Sequence, residues 1–104
     1  MIKCDIVETP IDVNTAISAV SDPAHGAIDT FLGTVRNSHD GHEVTGITYD
    51  VHGPLARQTF EAIAGEVQHS YAEAHVYIAH VRGYVEVGAA SVVIAVSTPH
   101  RAES

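Results

Sequence analysis

Between Gly26 and Val35 the chain reads Gly-Ala-Ile-Asp-Thr-Phe-Leu-Gly-Thr-Val, with one charge and no proline. Apolar and β-forming residues fall on both faces of such a segment, which predicts a strand covered on both sides at the centre of a sheet. Other segments of regular pattern flank it. Residues 2–8 alternate as a half-buried strand, and Asp12 can cap a helix through about Val20, with Val13, Ala16, Ile17 and Val20 on one stripe. Asn37 to Glu43 reads as a long, exposed polar loop around Asp40-Gly41, followed by a strand over Val44 to Val51.

Gly53-Pro54 opens a second helix, because proline at the first helical position forfeits no hydrogen bond. It should run to about Ala72, with Phe60, Ile63, Ala64, Val67 and Tyr71 forming its apolar face. Strands follow at His75 to Val81 and Ala90 to Ser97, joined by the turn-rich stretch 82–88. This order predicts one α+β domain over residues 1–104 with a mixed, largely antiparallel sheet. Thr98-Pro99 then signals another helix, whose first turn would be His100 to Glu103. One turn cannot repay helix nucleation, so the expectation is that this domain belongs with a further C-terminal helix and tail.

Composition narrows the function. Five Lys and Arg against 13 Asp and Glu give a formal charge of -8, which excludes a general nucleic-acid binder. An anion site then depends on where a few cations converge. Cys4, the single cysteine, lies in the alternating run of the first strand and reads as a half-buried side chain rather than a nucleophile. With no signal peptide and no apolar run of the roughly 18 to 20 residues that span a bilayer, the expected compartment is the cytoplasm.

Two segments carry candidate chemistry. Thr34-Val35-Arg36-Asn37 puts a guanidinium just past a strand end, and Thr98-Pro99-His100-Arg101 puts an imidazole and a guanidinium where helix N–H groups favour an anion. Brought together, they would hold a phosphate or carboxylate. Ordinary surface ion pairs with the many acids are the competing reading. Of the eight histidines, no pair has the spacing of His-Glu-x-x-His or sits with a Cys-x-x-Cys, so no metal site is expected. Neither a Gly-x-Ser-x-Gly elbow nor a glycine-rich phosphate loop is present, and no cofactor is expected.

The stretch from Gly26 to Asn37, then Gly41 and Val44, a tyrosine-bearing strand and a helix near Pro54 resemble the large, catalytic subunit of molybdopterin synthase. The likeness continues through His80, Gly83 and Gly88 and through the strand from Ser91 to Ser97 that leads into Thr98-Pro99-His100-Arg101. The resemblance implies an α/β hammerhead-like fold and a homodimer within a heterotetramer. It implies as partner a small ubiquitin-like sulfur-carrier subunit, whose C-terminal thiocarboxylate threads into the large subunit. It implies transfer of sulfur to cyclic pyranopterin monophosphate, making the molybdopterin dithiolene. Thr34, Val35, Arg36, His100 and Arg101 match substrate-contact positions, and Phe31 lines the pocket. There are two departures. Arg82 comes one position late after His80-Val81, and a one-residue offset in a strand turns a side chain to the other face. The catalytic lysines of the family lie beyond a His-Arg helix, whereas this chain's single lysine is Lys3, so they are expected beyond Ser104. A non-catalytic carrier-binding protein of the same fold, and an unrelated anion-binding domain, are the alternatives.

Overall fold

The computed structural model describes residues 1–39, 41–43, 45–50 and 53–100. In chain order these form β1 (Ile2–Val7), α1 (Val13–Val20), β2 (Ala27–Thr34), β3 (Ser38–His39), β4 (His42–Glu43), β5 (Gly46–Tyr49), α2 (Gly53–Ser70), β6 (His75–Val81), β7 (Gly83–Glu86) and β8 (Ala90–Thr98). The main sheet has the order β1-β6-β8-β2. β1 runs parallel to β6, while β8 is antiparallel to both β6 and β2. The α+β class and the mixed, largely antiparallel sheet are as expected. No helix among the described residues is long and apolar enough to cross a membrane.

The two helices cover opposite faces of this sheet. Asp12 caps α1, accepting the Asn14 N–H at 3.0 Å. The helix then lays Ala16 and Val20 on Tyr77, Ala79, Val93 and Ala95. α2 lays Ala64, Phe60 and Val67 on Cys4, Val76 and Ile78, with Ile94 and Val96 packed alongside. Alanines at these contacts let the helices approach the sheet closely. The apolar face predicted for α2 is narrower than expected: Ile63 at its margin and Tyr71, just past its last residue, are exposed. Burial raises the Cys4 thiol above its ordinary pKa, with the Glu61 carboxylate adding to the effect, so the sulfur stays protonated and unreactive.

The segment expected at the centre of the sheet is instead an edge strand. β6 and β8 occupy the middle, and β2 pairs with β8 along one side while Ile28, Phe31 and Leu32 stay exposed. The reason is coverage. Both helices pack mainly over β1, β6 and β8, so the apolar residues of β2 are left uncovered by their own chain.

Two further expectations change. The polar stretch after residue 36 folds on itself as the short β3–β4 hairpin, turning at Gly41 with φ of 79°. The connection after Arg82 holds a strand, β7, paired antiparallel with β5, and Val85 from it joins Val35 and Val81 in a small third cluster. Gly46 makes that pairing possible, because the Tyr84 ring and the Val85 carbonyl occupy the space a Cβ would need. Gly46→Ala is therefore expected to destabilise the fold by about 1–3 kcal/mol, the usual cost of overpacking. A urea titration would read it as a lower midpoint, and an unchanged midpoint would mean that both Tyr84 and the β7 backbone at Val85 give way at little cost.

Candidate functional site

Arg36 is presented by a locally pinned backbone. The β2–β8 register breaks between Gly33 and Thr34, where Gly33 sits against a γ-methyl of Val92. Thr34, exposed, is the last residue of β2. Val35 turns inward and is buried beside Val81 and Val85. Its N–H donates to the Ala89 carbonyl at 3.1 Å, and its carbonyl accepts from the Gly88 N–H at 2.9 Å. Val35 thus acts by anchoring its neighbours. Arg36 emerges exposed and makes no ion pair with any described residue. Beside it Asn37, Ser38, Glu43 and Thr45 line an open depression of about 450 Å³.

A more closed cavity of about 260 Å³ lies near the start of β8, lined by Val81, Tyr84 and Ala89 among others. Its lining includes the carboxylates of Glu8 and Glu86 and no cation, which disfavours an anion there. Arg82, the offset arginine, pairs with Glu8 at 2.7 Å on the surface. Lys3 lies on β1, the opposite edge of the sheet from β2, where it approaches Asp5 at 3.9 Å and the Tyr77 ring at 5.8 Å. It offers no amine to the Arg36 end.

His100 is placed elsewhere. It follows β8 in a bend and is exposed, and its carbonyl accepts from the Thr98 hydroxyl at 2.7 Å. The Gly26 N–H donates to the Pro99 carbonyl at 3.2 Å, tying this segment to the start of β2. Arg101 and the rest of the expected helical turn lie outside the described residues. Because Ala27 faces Thr98 and Thr34 faces Ala90, Arg36 and His100 sit at opposite ends of the β2–β8 ladder. At about 3.4 Å per residue, the seven steps of β2 separate them by roughly 24 Å, several times what a side chain can span. Arg36 and His100 do not meet within one chain. Phe31, 60% exposed, lies between them on the open strand.

The structure also assembles a group that sequence reading missed: Asp22, His25 and His75, whose ligand-capable atoms all lie within 4.8 Å of one another. Asp22-x-x-His25 was visible as a spacing in a loop, but nothing in the sequence announces a third member 50 residues on. The Ala24 amide, then the hydrogen bond from His75, hold the Asp22 carboxyl below its ordinary pKa.

Comparison with known proteins places this geometry. Residues 6–104 match the family model described as MoaE protein. The chain is 37% identical over 101 residues to molybdopterin synthase catalytic subunit 1 of Mycobacterium tuberculosis, covering 97% of this chain and 69% of that protein. It is 41% identical over 99 residues to the molybdopterin synthase catalytic subunit of Halalkalibacterium halodurans, covering 95% and 64%. The crystal structure of molybdopterin synthase from Staphylococcus aureus superposes with a TM-score of 0.89 at 28% identity, over 94% of this chain and 72% of that one. The complex of subunits 1 and 2 of molybdopterin-converting factor from Helicobacter pylori shares the fold, with a TM-score of 0.77 at 22% identity over 96% and 68%. The chain thus spans about two thirds of the length of these relatives. By the family match and by these identities, the chain belongs to the MoaE family, whose relatives here are molybdopterin synthase catalytic subunits.

Proposed function

We propose that this chain works as the large subunit of molybdopterin synthase in the cytoplasm. In this reading it docks a small ubiquitin-like carrier bearing a C-terminal thiocarboxylate and directs that sulfur to cyclic pyranopterin monophosphate. Family membership over residues 6–104 supports the assignment, as does the Helicobacter relative, which is a complex of two subunits. The observation that carries it is the exposed Arg36, held at a pinned strand end with no carboxylate partner among the described residues. A guanidinium so placed is suited to a phosphate oxygen pair.

In this reading a dimer resolves the separation of Arg36 from His100. β2 is an open edge with apolar side chains exposed on both faces, a surface that invites a further strand. If two copies pair their β2 strands antiparallel about a two-fold axis, the Thr34 end of one lies opposite the Ala27 end of the other. Arg36 of one copy then approaches His100 of the second, and two equivalent anion sites form. Thr34 and Phe31 border each site, and Val35 fixes the backbone that carries Arg36.

Titrating the protein with a carrier ending in Gly-Gly tests the assignment. Saturable binding is expected, weakened when the two terminal glycines are removed. No affinity for the intact carrier would overturn it.

A further inference from the structure

We propose that Asp22, His25 and His75 form a binding site for a divalent transition-metal ion of the zinc type. The site lies on the α1 face of the sheet, past the end of that helix. His75 and Ser97 are direct cross-strand partners on β6 and β8, and the loop between α1 and β2 brings Asp22 and His25 over them.

Each ligand is held from behind. The Asp22 Oδ1 accepts the Ala24 N–H at 2.8 Å, leaving Oδ2 facing both imidazoles. His75 Nε2 lies 2.8 Å from that oxygen and His25 Nε2 lies 3.9 Å from it, with the two rings stacked at 4.5 Å between centroids. The other ring nitrogens are engaged. His75 Nδ1 is 3.0 Å from the Met1 amino nitrogen, and His25 Nδ1 is 2.7 Å from Ser97 Oγ. His25, donating through Nδ1 to Ser97, has the arrangement that metal-bound histidines adopt, whereas His75 Nδ1 faces the Met1 ammonium, a donor that has to turn away when Nε2 takes a metal.

The hydrogen bonds of Ser97 settle the tautomer of neutral His25. The Ser97 hydroxyl has one proton and donates it to the Val20 carbonyl, so it must accept from His25 Nδ1–H. Neutral His25 therefore aims a bare Nε2 lone pair at a carboxylate, from a side chain that is only 5% exposed. The Nε2 of His25 and the Oδ2 of Asp22 are thus two electron-pair donors facing one spot, which a cation can occupy. Four-coordinate zinc with bonds near 2.1 Å separates its donors by about 3.4 Å, between the 2.8 and 3.9 Å that now part Asp22 Oδ2 from the two imidazoles, so the loop has to adjust and the stacked rings have to turn towards a common point. Three protein ligands leave a fourth position open on the exposed side of Asp22 and His75. Binding would clamp the α1–β2 loop to β6, the His75 proton that now bridges to Asp22 moving from Nε2 to Nδ1 as the metal takes the Nε2 lone pair.

The test uses tag-free, EDTA-treated protein, full chain, titrated with ZnCl2 by calorimetry and, separately, with CoCl2 by visible absorption. One equivalent per chain is expected, with intense four-coordinate cobalt bands and a raised melting temperature. Asp22→Asn keeps the acceptor for the Ala24 N–H while replacing the oxygen that faces the two imidazoles. That variant should weaken zinc at least about tenfold and remove the cobalt bands, as ligand loss does, and His75→Gln should act likewise. His69→Ala, at an exposed position of α2, should change nothing. No saturable zinc binding, or equal binding by the wild type and both ligand variants, would overturn the proposal. So would six-coordinate cobalt spectra, the mark of ions scattered over surface histidines.

Discussion

Arg36→Ala should weaken binding of a phosphate-bearing precursor by roughly 10- to 100-fold, since a hydrogen bond to a charged group contributes about 1.5–3 kcal/mol. Folding stability should hardly move, because the side chain is exposed and makes no ion pair with a described residue. His100→Ala should produce a loss of similar kind from the other end of the strand. The sharper result is expected from the two variants together. If each site takes Arg36 from one copy and His100 from the other, a mixed dimer keeps one intact site and one doubly damaged site. Random mixing in equal amounts then restores about a quarter of the sites. Calorimetry would read a fraction of full-affinity sites after dissociation and reassociation of the mixture. Absence of any recovery would place both residues in the same chain's site or in none.

Phe31→Asp is the second large effect. The ring is 60% exposed in the single chain and contributes little to its core, so the melting temperature of the protomer should change little. In a dimer formed through β2 the same ring is buried, at about 1.5–3 kcal/mol for each copy. Two-fold symmetry counts the change twice, so the dimer dissociation constant should rise by roughly 10² to 10⁴. Light scattering across a dilution series measures it. Ile63→Asp, on the exposed margin of α2, serves as the comparison and should leave the dimer intact. A Phe31→Asp protein that still dimerises would remove β2 from the interface and with it the shared site.

Local signals in the sequence were legible where the structure is local. Asp12 marked the start of α1, and strict alternation marked β1. The 3.6-residue spacing of Phe60, Ala64 and Val67 marked the inner face of α2. Longer-range features were not. An apolar run reads as a covered strand, yet whether β2 is central or at an edge depends on which elements are left to cover it. β7 was hidden because glycines at positions 83 and 88 bracket it and Val85 alone goes into the core. Arg36 could be recognised as a cation at a strand end. Its distance from His100 could not, because the antiparallel sense of β2 against β8 decides which strand ends are neighbours. The same limit hid the cluster of Asp22 and His75, which the sheet register brings together.

That antiparallel register has a genetic corollary. If two copies share their sites as proposed, a subunit carrying both Arg36→Ala and His100→Ala would contribute a damaged half to each of the two sites of any dimer it entered. Mixed with an equal amount of normal subunit, it would leave about a quarter of the dimers whole and the rest without a working site. A double variant should therefore be dominant over the normal copy, whereas either single variant leaves one good site in every mixed dimer. On the proposed dimer, an exposed strand edge and the direction of one ladder thus predict how alleles of this protein interact.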